Sequence, residues 1–184
     1  NALQTPADTF LFLDDDVAAR PIDYLKVLET EGDVVAGTYR YKEEKEEYMG
    51  GWNCRRGTPV LRAADGAVDA IAVPSGFLKV TRRAVRAFMR AYPELTYGDP
   101  EKPAVDLFNH GVTFPKDGRW WGQDYAFCKR WGDIQGKVWL VPDLCIDHHS
   151  WKAEGPSVYE GNFHQWLLRQ PGGAHSEVVS FRAA

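Results

Sequence analysis

The sequence predicts an α/β domain built on a mixed, mainly parallel sheet flanked by helices, with an inserted β-hairpin. Three observations carry that expectation. An apolar run ends in three consecutive acids, "TFLFLDDD" (9–16). Helically spaced apolar residues then separate it from a second apolar run, "DVVAGTY" (33–39). Further on, an Asp65–Gly66 turn lies between extended stretches, which signals a hairpin.

Residues 8–13 read as a short buried strand, because a continuous apolar run suits a parallel strand covered on both faces. Pro21 stands where a helix can begin, and Ile22, Leu25 and Leu28 keep helical spacing up to Gly32. The strand–helix–strand unit so formed places the acids at the C-terminal end of the first strand, the edge where open α/β sheets bind ligands. A helix is expected over residues 82–92. Residues 93–118, rich in Pro, Gly and Asp, read as a long ordered loop over the active face. A helix from about Gln123 to near Gly136, a strand over 137–144 and an amphipathic helix over 162–168 complete the chain. With 184 residues and no internal repeat, it reads as one domain spanning 1–184.

Apolar residues make up 44% and charged residues 26%, the balance of a globular protein. A net charge of −4 with no Lys/Arg-rich block disfavours a nucleic-acid partner. The run "YKEEKEEY" (41–48) reads as a solvated loop or helix face. Cys54, Cys128 and Cys145 form no CxxC pair, so neither a disulfide framework nor a structural zinc site is indicated, and a reducing, cytoplasmic setting is expected. No apolar run approaches the ~20 residues of a membrane span.

Four stretches carry chemistry. Alternation at a strand end puts Asp14 and Asp16 on one side and Asp15 on the other. Two converging carboxylates form a hard-oxygen site for Mg²⁺ or Mn²⁺, shared with a phosphate group. The competing use is an acidic turn in which one Asp caps the helix at Pro21. Asp124, in the first turn of its helix behind Trp120, Trp121 and Gly122, is placed to accept a proton from an attacking hydroxyl, or simply to cap that helix. His148 and His149 follow the last strand, where an imidazole completes a metal site, contacts a diphosphate, or is incidental. Ser75–Gly76 lets backbone approach a ligand closely, or marks a bulge.

Taken in order, "FLFLDDDV", "DVVAGTY", "GFLKVTRRAV", "GQDYAFCKRW" and a strand leading to His resemble the GT-A-fold glycosyltransferases, closest to the family-2-like and virus- or phage-type members. The likeness runs from about Ala7 to Phe163. It implies a GT-A-like (Rossmann-like) fold and transfer of a sugar from a nucleotide-diphosphate sugar to a glycan or other hydroxyl acceptor. Asp14 and Asp16 match the motif that holds Mn²⁺ or Mg²⁺, with His148 completing the metal site and His149 as second choice. Asp15 matches a contact to the donor's ribose or sugar. Asp124 matches the catalytic base of inverting members. Ser75, Gly76 and Phe77 match the loop lining the donor and acceptor pocket, and Trp120 and Trp121 match the aromatic acceptor platform.

The sequence departs from the family pattern in two places. Gln123 stands where the motif has Glu. The acid-bearing strand also comes first, where family members place about two strand–helix units that bind the base. The resemblance therefore implies an N-terminally truncated fold, a fragment, or a base pocket supplied by another segment or partner chain. Two rival functions share the same residues. One is a non-catalytic nucleotide-sugar-binding remnant. The other is a haloacid-dehalogenase-like phosphatase with Asp14 as nucleophile and Asp16 as acid/base, which has Ala18 where Thr or Ser is usual.

Overall fold

The structure, a computed structural model, describes residues 2–55, 58–110 and 121–170. In chain order the strands and helices are β1 (Thr9–Leu13), β2 (Val17–Ala19), α1 (Pro21–Glu29), β3 (Val34–Ala36), β4 (Gly51–Trp52), β5 (Cys54–Arg55), β6 (Thr58–Pro59), β7 (Val68–Ala72) and β8 (Phe77–Thr81). There follow α2 (Arg82–Ala91), β9 (Thr96–Asp99), β10 (Lys102–Val105), α3 (Gln123–Asp133), β11 (Val138–Leu140), β12 (Cys145–Lys152), β13 (Gly155–Asn162) and α4 (Phe163–Arg169).

The main sheet is mixed and runs β1-β8-β3-β11-β7-β4, with helices packed on it. The expectation of mainly parallel strands does not hold. Only β3 and β11 pair in parallel, and the other four contacts are antiparallel. The cause is β8, which returns between β1 and β3 and pairs with both in the opposite sense. The strand–helix–strand unit exists, but its two strands are not neighbours. An apolar run reports burial, not direction. Nor is β1 the fully buried strand expected: it is an edge strand paired with β8 alone among the described residues, with Phe10 and Phe12 partly covered on one face, Leu11 on the other, and Leu13 48% exposed.

Local chemistry sets the helix ends. Pro21 opens α1, and Arg20 clamps the buried Asp23 in its first turn through two hydrogen bonds of 2.7 and 2.9 Å. The acids at 14–16 do not cap this helix, because β2 lies between them and Pro21. At the other end, the buried Lys79 donates to the carbonyls of Leu28 and Thr30, meeting the unpaired acceptors of the last turn. Thr81 caps α2 and Asn162 caps α4, each side chain accepting from a backbone N–H three residues on.

Both faces of the sheet are covered, as the alternation along β3 requires. Val34 and Ala36 pack with Leu78, Phe88, Phe127 and Phe163. Val35 faces the other way, towards Val27 of α1, Phe77 and Ile146. Phe77 is fully buried and meets Tyr24 edge to face with ring centroids 5.1 Å apart. It is a core residue, so the expected place for it in a ligand pocket is corrected. Phe77→Ala is expected to cost about 3–5 kcal/mol, read as a lower urea midpoint.

The Asp65–Gly66 turn forms, with Gly66 at φ 73° and Leu61 bridged to Val68, but the strand that follows finds its main partners in β11 and β4. Residues 93–110 are more regular than expected: a turn at Pro93–Leu95 leads into the β9–β10 hairpin. The rest of that predicted loop, 111–118, lies outside the described residues. A second sheet, β13-β12-β2, is what shapes the candidate site. Among the described residues no helix is long and apolar enough to cross a membrane.

Candidate functional site

The acids lie just past β1, in a turn closed by the Val17 N–H on the Asp14 carbonyl at 3.2 Å. The two-residue alternation of a strand does not extend through a turn, so the expected placement of Asp14 and Asp16 by parity is replaced by placement through contacts. Asp14 N–H donates to the Gly76 carbonyl at 3.1 Å, tying the turn to the segment before β8. Burial, together with repulsion from Asp16 and Asp15, pushes the Asp14 carboxyl above its ordinary range. Asp15 is exposed at the tip.

His148 does not follow the last strand as expected; it sits within β12. There it is the cross-strand partner of Val17, and the His149 N–H donates to the Asp16 carbonyl at 2.7 Å. Pairing of β2 with β12 thus brings a histidine 132 positions downstream alongside Asp16. His148 Nδ1 donates to the Arg40 carbonyl at 2.7 Å, since a carbonyl can only accept. In the neutral ring this leaves the Nε2 lone pair turned towards Asp16 Oδ2, 3.5 Å away. His149 is exposed on the opposite face of the strand, as alternation demands.

Asp124 is the second residue of α3 and is half-buried. Its carboxylate accepts from the N–H of Tyr125 at 3.0 Å and from the backbone of Ser75. Burial raises its pKa against those hydrogen bonds, and the charge of Asp14 adds to the rise. A carboxylate held by backbone donors and made more basic by burial is suited to take a proton.

Two residues read otherwise from the sequence belong here. The Tyr39 hydroxyl reaches the Asp14 side chain and the Gly76 backbone, and burial with the charges of Asp14 and Asp124 drives its own pKa well up. Lys42, inside the acidic run 41–48 whose composition predicts a solvated face, lies 2.5 Å from Asp16 Oδ2; against the upward push of burial, its hydrogen bond and charge hold that carboxyl below its ordinary range. The available signal was position: both follow β3, whose C-terminal end lies beside that of β1 across β8.

Gly76 is the hub. A Cβ there would overlap both the Tyr39 hydroxyl and an Asp14 carboxylate oxygen, so a larger residue would push these two side chains out of place. Gly76→Ala is expected to cost about 1–3 kcal/mol and to displace Asp14, read as a lower melting temperature and a weaker response to Mn²⁺.

The predicted residues therefore divide. Asp14, Asp16, His148, Asp124, Ser75 and Gly76 are brought together, whereas Phe77 is not. Trp121 lines an open groove of about 290 Å³ beside α3, with Asn53, Asp69, Lys129 and Asp133, and its ring lies 6.1 Å from that of Tyr125. Trp120 lies outside the described residues. Among those residues no three His, Cys, Asp or Glu side chains converge as a ready-made metal cage.

No protein-family model and no curated protein sequence matches the chain. Among solved structures it is similar to the crystal structure of A197 from STIV, at 18% identity and a TM-score of 0.44, over 85% of this chain and 68% of that one. A likeness of that degree settles neither fold family nor activity.

Proposed function

We propose that this chain is a metal-dependent glycosyltransferase of GT-A type that moves a sugar from a nucleotide-diphosphate sugar to an acceptor hydroxyl, with inversion. The observation that supports it is the meeting of a basic, backbone-held Asp124 with Asp14, which in turn feels the charges of Asp16 and His148. These side chains come from three distant segments, and the site holds more negative charge than its own cations neutralise.

The donor set fits a divalent ion. Asp14 and Asp16 offer hard carboxylate oxygens, and the tautomer fixed by Arg40 turns the His148 Nε2 lone pair towards Asp16 Oδ2, so that Asp14 would have to swing in to complete the set. Two lone-pair donors facing each other repel unless a cation adjoins them, and in the structure the Lys42 ammonium holds that place on Asp16 Oδ2. Asp14, Asp16 and His148 would hold Mn²⁺ or Mg²⁺, with the remaining positions left to diphosphate oxygens and water. When bound, the ion supplies Lewis-acid neutralisation of the leaving diphosphate.

The chain's own residues do the rest. The Ser75 and Tyr125 N–H groups orient the Asp124 carboxylate, which takes the acceptor hydroxyl's proton as that oxygen attacks the anomeric carbon. The Tyr39 hydroxyl steadies Asp14. A single displacement of this kind inverts the anomeric centre.

The test is a panel of nucleoside diphosphates and nucleotide-sugars, screened by thermal shift with and without Mn²⁺ and then by release of nucleoside diphosphate onto simple sugar acceptors. Stabilisation that requires both metal and diphosphate, followed by turnover, supports the reading. Binding without turnover under any acceptor would make the chain a nucleotide-sugar-binding module instead. Absence of any shift would remove the proposal's main support.

A further inference from the structure

We propose that Lys42 is the site's own exchangeable cation: it neutralises Asp16 until a divalent ion takes that place, and then serves as a ligand of the diphosphate. This rests on the transferase reading above and assigns a role to the loop that follows β3.

The geometry carries it. Lys42 Nζ and His148 Nε2 address the same oxygen, Asp16 Oδ2, at 2.5 and 3.5 Å. That oxygen is where the chemistry of the site calls for positive charge, and the ammonium supplies it. Lys42 is surrounded in sequence by Glu43, Glu44, Glu46 and Glu47, yet it pairs with an acid 26 positions earlier. Three of its acidic neighbours are engaged elsewhere: Glu44 with Lys152 at 3.3 Å, Glu46 with Arg169 at 2.7 Å, and Glu47 with Lys45.

The loop's anchors are separate from this ammonium. Arg40 bridges Tyr48, the Tyr41 N–H donates to the Glu47 carbonyl at 3.0 Å, and Trp166 Nε1 donates to the Glu46 carbonyl at 2.9 Å. Lys42 can therefore change partner by rotating its four-carbon stem while the backbone stays in place. The Arg40 carbonyl that fixes the His148 tautomer stays with it. The side chain is one-third exposed, so no deep burial opposes the exchange. A divalent ion at Asp16 brings twice the charge and repels the ammonium, and the nearest new partners are the phosphate oxygens that arrive with the ion. A lysine serves phosphate as such a point charge.

The test compares wild type with Lys42→Met, Lys42→Arg and Lys45→Met. Free Mn²⁺ is titrated by electron paramagnetic resonance, and inorganic pyrophosphate with Mn²⁺ by calorimetry. Lys42→Met is expected to bind Mn²⁺ about fivefold tighter, the scale of a lost competing surface ion pair. It is expected to bind Mn²⁺–pyrophosphate about tenfold more weakly, the scale of one charged hydrogen bond. Lys42→Arg and Lys45→Met stay near wild type in both. Equal or weaker Mn²⁺ binding by Lys42→Met, with wild-type binding intact, overturns the role of Lys42. No Mn²⁺ binding by wild type or Lys42→Met overturns the metal reading, and the exchange with it.

Discussion

Asp124→Asn is expected to lower turnover by about 10²–10⁴-fold while leaving the fold and donor binding in place. The amide keeps an oxygen to accept from the Tyr125 and Ser75 N–H groups but cannot take a proton. The pH profile of the wild type checks the same assignment. Asp124 acts only when ionised, and burial raises its pKa above the usual 3.8, so kcat/KM is expected to fall, on acidification, at a pH above the ordinary carboxylate range. The sign for stability is opposite. A raised folded-state pKa favours the neutral carboxyl, a contribution fully present below about 3.8 and lost as pH rises through the folded value. Asp124→Asn is therefore expected to be at least as stable as wild type at neutral pH, with the difference closing in acid. A fully active Asp124→Asn removes the assigned base.

Mn²⁺ at about a hundred times its dissociation constant is expected to stabilise the protein by about 2.7 kcal/mol. For a chain of this length that is a rise in melting temperature of roughly 5–10 °C, by differential scanning calorimetry. Asp16→Asn and His148→Ala are each expected to abolish most of that rise. Asp14→Asn is expected to do the same while raising the metal-free melting temperature, because it removes a carboxylate that Asp16 and Asp15 repel. A shift that survives all three substitutions places the ion elsewhere.

The parts of the fold that follow from short-range chemistry were legible in the chain. Pro21, the residues around Gln123 and the polar Asn162 mark helix starts that occur where expected, because capping and proline geometry are settled within a few residues. The acids at the end of β1 were legible for a similar reason: three adjacent carboxylates oppose folding unless something compensates them. Strand direction was not legible. The run "GFLKV" carries no mark that says whether it lies beside β1, between β1 and β3, or elsewhere, and its insertion as β8 made the sheet largely antiparallel.

The same limit governs the site. Phe77 sits beside Gly76 in sequence, yet Phe77 opens β8 and is fully buried in the core, while Gly76 ends the preceding turn and lies under Asp14. His148 reaches Asp16 only because β2 pairs with β12, a contact between segments about 130 residues apart. Tyr39 and Lys42 join because the end of β3 lies beside that of β1.

By itself, then, the sequence determined the α/β character, where the helices start and the demand for positive charge at Asp14–Asp16, since each depends on neighbouring residues or on their spacing. The tertiary structure alone decided how that demand is met. Register and strand order choose which distant side chains share a few ångströms, and here they chose His148, Tyr39 and Lys42 as the companions of the acidic turn.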